Sequence, residues 1–82
     1  MEEQPIGKVT HYFDRIGVAV IKVDEGEVNV GDLLHFTHGD RDFYQKVNSL
    51  EVEKKPVDKI KTGEEAGLKV DMEVKPGDAI FK

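Results

Sequence analysis

The sequence predicts an all-β domain, a small closed antiparallel β-barrel of six or seven strands. Three observations lead there. Apolar and polar residues alternate with period two along much of the chain, and no long stretch carries a helical stripe. Glycine-centred breaks divide the alternation into short runs. The chain has 82 residues, room for one domain with a modest core, and so small a fold gains from a sheet without loose edges.

The elements follow in order. Residues 6–13 read as a strand with Val9, His11 and Phe13 on one face. Residues 16–23 form a β-branched run suited to a well-buried strand, and Asp14-Arg15 makes the hairpin tip between the two. Gly17 fits a bulge or a close approach there. Gly26 marks the next break, after which Val28 and Val30 alternate with polar neighbours. Gly31-Asp32 turns the chain into a strand over 33–37, which His38 to Arg41 interrupts. A long strand is expected over 43–53, with Val47 and Val52 inward, closed by Lys54-Lys55-Pro56. Residues 57–61 fit either a short strand or one helical turn. Residues 62–67 read as a connection bracketed by Gly63 and Gly67, and 68–74 as the clearest strand. Gly77-Asp78 turns the chain into apolar Ile80-Phe81, expected to pair near the first strand and close the barrel.

One pattern occurs twice. Glu27 to Leu34 and Glu73 to Ile80 share the form Glu-Val-x-x-Gly-Asp-x-aliphatic. The physical reading is one turn device used twice: glycine supplies a positive φ and aspartate bonds nearby amides.

Charge and composition bound the function. The formal net charge is −5 and the pI about 5.1, the wrong sign for a free nucleic-acid binder. Residues 54–62 are the exception, with Lys54, Lys55, Lys59 and Lys61 against Asp58. The chain has no cysteine, which excludes disulfides and thiolate chemistry and favours a reducing, cytoplasmic setting. The longest apolar run, residues 18–21, is too short for a membrane span or a signal segment, and Met1-Glu2-Glu3 is acidic where a targeting sequence is basic.

The ordered motifs have a familiar sequence. They are Gly7-x-Val9, Gly17-Val18-Ala19, Gly26, Val30-Gly31-Asp32, Val47-x-Ser49-Leu50, Gly63-x-x-x-Gly67-Leu68 and Val74-x-x-Gly77-Asp78. The set resembles the second domain of elongation factor Tu, a kind of domain that initiation factor 2 and the selenocysteine-specific elongation factor also carry. The resemblance runs from about Ile6 to Phe81 and treats 1–82 as a single domain. It implies a six- or seven-stranded barrel, and contacts with a GTPase domain, the ribosome or the end of an aminoacyl-tRNA. The expected turn residues are Gly17, Gly26, Gly31, Asp32, Gly63, Gly67, Gly77 and Asp78. The GTPase domain itself is missing: no Gly-x-x-x-x-Gly-Lys-Ser/Thr occurs, so no nucleotide is expected.

Two function classes result, neither requiring a cofactor or a catalytic residue. The first is a non-catalytic module that contacts RNA or a ribosome-associated surface. Its binding residues would be Arg41, Tyr44 and Lys46, an aromatic among cations, with Lys54, Lys55, Lys59 and Lys61. The alternative is a protein-interaction accessory subunit with no RNA contact, beside a separately encoded enzyme; the acidic pI favours it. A third reading, a metal-dependent enzyme using His35 and His38, meets a geometric objection. Strand positions three apart point to opposite faces. Ser49, the only serine, lacks a Gly-x-Ser-x-Gly elbow.

Overall fold

A computed structural model describes residues 3–82. It is all-β, and every strand pair is antiparallel. Among the described residues there are ten strands, more than the six or seven expected. They are β1 (Pro5–Phe13), β2 (Val18–Val23), β3 (Glu27–Asn29), β4 (Leu33–His38), β5 (Arg41–Lys46), β6 (Leu50–Val52), β7 (Lys55–Val57), β8 (Lys59–Lys61), β9 (Glu65–Lys69) and β10 (Ala79–Phe81). Eight form one sheet in the order β5-β4-β10-β1-β2-β9-β6-β7, and β3 pairs β8 in a second. β5 and β7 are therefore sheet edges, and the backbone ladder is not closed. The last strand does pair with the first, and with β4 on its other side.

Bulges explain the first departure from simple alternation. The β1 register shifts between Pro5 and Gly7 and again between Val9 and His11. Each bulge adds a residue and swaps the faces. The inward residues of β1 are thus Ile6, Val9 and Tyr12, three apart, while His11 and Phe13 turn outward. The expected Val9–His11–Phe13 face does not form.

Two other strands also end early. The run over 43–53 splits into β5 and β6, because Val47 leaves the ladder to bond the 31–32 turn. The alternation over 68–74 is not a strand: β9 begins at Glu65 and stops at Lys69. There Gln45 intervenes. Its amide Nε2 donates to the Lys69 carbonyl at 2.5 Å, and its Oε1 accepts from the Asp71 amide at 2.8 Å. Gln45 is buried, and both ends of its amide are satisfied. Val70 and Val74 remain buried although they lie outside a strand. Gly67 is a strand residue in β9, not a turn glycine. Residues 59–61 are strand β8 rather than a helical turn.

The core joins Val9, Ile21, Leu34, Phe36, Val47, Leu50, Ile60, Leu68 and Ile80, with Phe43 stacked on Phe36 at 5.1 Å. Each fully buried aliphatic side chain contributes roughly 1.5–3 kcal/mol before chain entropy is counted.

The repeated turn device matches bond for bond. Asp32 N–H donates to the Asn29 carbonyl, and Asp78 N–H to the Lys75 carbonyl, both at 3.0 Å. The glycines at the third position have φ +100 for Gly31 and +95 for Gly77, the value that a type II turn demands. In return, Asn29 N–H donates to Asp32 Oδ2 at 2.8 Å and Lys75 N–H to Asp78 Oδ2 at 3.0 Å. Each turn also holds one buried valine in both directions. Gly31 N–H donates to the Val47 carbonyl and Val47 N–H to the Asp32 carbonyl; Gly77 and Asp78 do the same with Val9. Each aspartate has a cation, Lys82 at 2.7 Å for Asp32 and Arg41 at 2.6 Å for Asp78. Partial burial pushes the Asp32 carboxyl up, but Lys82 and the Asn29 backbone amide outweigh it and hold the pKa below the ordinary 3.8.

Gly31→Val and Gly77→Val should each cost about 1–3 kcal/mol, read as a fall in Tm of roughly 4–8 °C per kcal/mol. Asp78→Ala should cost more than Asp32→Ala, about 2–3 kcal/mol, since Asp78 is only 2% exposed and its loss strands both Arg41 and the Lys75 amide. Thermal melts of the four variants check this order.

Candidate functional site

The expected binding residues fall on three separate elements. Arg41, Tyr44 and Lys46 lie on edge strand β5, Lys54 and Lys55 at the β6–β7 hairpin, and Lys59 and Lys61 on β8. Arg41 is tied to Asp78 and so serves the fold. Tyr44 is exposed, but its ring stacks on His35 at 4.2 Å. Lys59 and Lys61 flank buried Ile60 and point outward.

His35 sits at the centre of a surface cluster. Tyr44, His35 and Phe81 are directly opposed across β5, β4 and β10. His35 Nδ1 bonds Glu3 Oε1 at 2.6 Å, and Nε2 bonds Asp42 Oδ1. These two hydrogen bonds raise the His35 pKa above 6.5, and the bond from His35 is the main cause that lowers Glu3. His38 is turned elsewhere, with Nδ1 3.3 Å from Asp78. The two imidazoles therefore serve different carboxylates, and among the described residues no group of three or more such side chains is arranged to hold a metal.

A second feature was not anticipated. On the outer face of β1, β2 and β9 lies an open groove of about 500 Å³. Outward-facing Val18, Val20 and Gly67 form its floor, together with Ala66, a core residue only 2% exposed. Phe13 and Ile16, at the β1–β2 hairpin tip, form one wall and are 51% and 62% exposed. Glu51, Val52, Glu53 and Lys54 form the other. The bulge in β1 is what turns Phe13 toward this face. Gly67 keeps the floor low, since a Cβ there would lie 3.3 Å from Val18 Cγ1.

The wall is built on a two-residue hairpin loop, because Val52 opposes Lys55. Its residues, Glu53 and Lys54, have φ +52 and +66. Such a loop ordinarily takes Asn-Gly, and side chains in the left-handed region cost on the order of 1 kcal/mol each. The loop puts two side chains of opposite charge, Glu53 and Lys54, at the groove's lip. Glu65 also lines the groove and accepts from Thr10 Oγ1 at 3.2 Å.

Comparison with known proteins places the fold. No family model matches the chain. Two curated proteins named collagenase, from Porphyromonas gingivalis and from its strain ATCC BAA-308 / W83, are 31% identical over 78 residues, or 94% of the chain. The chain spans 22% and 19% of their lengths, about a fifth. Two crystal structures of the "C-terminal domain of Geobacillus thermoleovorans putative U32 peptidase", one a selenomethionine variant, share the fold. The variant superposes with a TM-score of 0.88 at 18% identity, covering 96% of this chain and 99% of that one. The other gives 0.86 at 19%, covering 94% and 89%.

These findings overturn the translation-factor resemblance and the RNA-binding role it implied. The motifs behind it were turn glycines and inward aliphatics, which any small antiparallel fold needs. Gly67, one of the seven-motif set, is not in a turn at all.

The His35 cluster predicts a pH dependence. His35 has a raised folded pKa, so its stabilising effect is full below 6.5 and is lost as pH rises through the higher folded value. Glu3 has a lowered one, so its effect is present above 4.5 and is lost as pH falls. The Tm difference between wild type and His35→Gln should be largest between pH 4.5 and 6.5 and shrink in alkali. It should also shrink in high salt, because the cluster is at the surface. Melts across pH 4–9 check both trends.

Proposed function

We propose that the chain is a non-catalytic accessory domain that works beside a peptidase module and holds protein for it. One observation carries this reading: the fold matches, nearly end to end, a solved domain described as the "C-terminal domain of Geobacillus thermoleovorans putative U32 peptidase". The collagenase relatives support it, since 94% of this chain aligns with a segment of those proteins at 31% identity. The acidic pI fits a protein partner better than a nucleic acid. The His35 imidazole, the best-placed acid–base group, has both ring nitrogens engaged by carboxylates. We further read the curled sheet as a barrel sealed by a side chain, with Gln45 reaching from edge strand β5 to the end of β9.

The test uses a collagenase of the matched type, with and without the segment equivalent to this chain. Collagen is the first protein substrate to try, given the names of the relatives. Removing the segment should raise KM for the protein substrate about tenfold and leave turnover of a short peptide within about twofold. Equal losses on both substrates would contradict a substrate-holding role.

A further inference from the structure

We infer that the groove between the β1–β2 tip and the β6–β7 hairpin binds an extended, cationic polypeptide segment that inserts aliphatic side chains. The inference rests on the accessory reading and names the site and the ligand chemistry. Three observations lead to it. The floor and one wall are apolar, and Phe13 and Ile16 stand more than half exposed with no cover from this chain. Exposed apolar side chains gathered at one concave place mark an interaction site.

Charge supplies the second argument. The groove is lined by Glu51, Glu53 and Glu65 against Lys54. A complementary ligand carries lysine or arginine beside its apolar side chains. The hairpin loop contributes Glu53 and Lys54, one of each sign, so the acidic excess of the lining comes from Glu51 and Glu65.

Third, the sheet parts here. β2 and β9 share five registered pairs, but β6 and β9 share one, Glu51 opposite Gly67. Glu51 and Val52 of β6 and Glu65, Ala66 and Gly67 of β9 all line the groove. An extended segment can lie along such strands, with alternate side chains directed into the floor.

The isolated chain is suitable for the test, because the matching U32 peptidase domain was crystallised on its own. Fluorescence anisotropy would compare three unstructured nonapeptides, alternating lysine with leucine, lysine with serine, and glutamate with leucine. The lysine–leucine peptide should bind about tenfold tighter than either control and weaken with salt. Ile16→Ser and Glu53→Lys, both at exposed positions, should each reduce its affinity about tenfold with unchanged Tm. Asp40→Lys, in the β4–β5 turn away from the groove, should leave it unaltered and so separates local from bulk charge. Equal affinity for the three peptides, or indifference to the groove variants, would overturn the site. A flat peptide series beside a domain that still lowers KM would overturn the groove alone. Groove-dependent binding in a domain whose removal changes no KM would support the groove and sink the accessory role.

Discussion

The fold depends on two glycine–aspartate turns. Each takes an aspartate that caps its own turn, a glycine whose φ few other residues tolerate, and a buried valine gripped by two backbone bonds. The strands that leave these turns, β4 and β10, pair with each other antiparallel, Phe36 opposite Ile80. The turns thus set the register of the sheet's middle, and the Val9 and Val47 bonds tie that middle to β1 and to the chain leaving β5. Asp78 is the more demanding member. Its carboxylate is buried, and burial is tolerable only because Arg41 and the Lys75 amide satisfy it.

The groove is a consequence of how the sheet curls around this middle. Two bulges bend β1, and the second, between Val9 and His11, swaps its faces so that aromatic Phe13 emerges on the outside. Gln45 stops β9 by claiming Lys69 and Asp71, and β6 touches β9 at a single register position. A continuous ladder would have left a flat outer face. The interrupted one leaves a concave surface with an apolar floor and three glutamates against one lysine along its lining.

Much of the fold was legible in the sequence. Period two marked β1, the β-branched run marked β2, and Gly-Asp located both turns and the strands after them because the requirement for positive φ is local. What could not be read was non-local. The bulges in β1 depend on the partner strand, and Gln45 reads as a surface residue until it is seen bridging residues 24 and 26 positions away. The groove follows from these features and had one trace in the sequence: Gly67, misread as a turn residue, within an otherwise regular strand. The lysines suggested a binding surface by composition alone, whereas the chain distributes them over separate elements. The translation-factor resemblance failed for a related reason, since turn chemistry is shared by unrelated β folds.

Native-state hydrogen exchange at the amides of Val9, Gly31, Val47 and Gly77 tests the central claim most directly. All four donate within the two turn assemblies. If those assemblies organise the fold, the four amides exchange only through global unfolding, with the same opening free energy as the core amides of β2. Exchange at the rates of the exposed hairpin tips, with the β2 amides still protected, would show that the turns are peripheral and that the account is wrong.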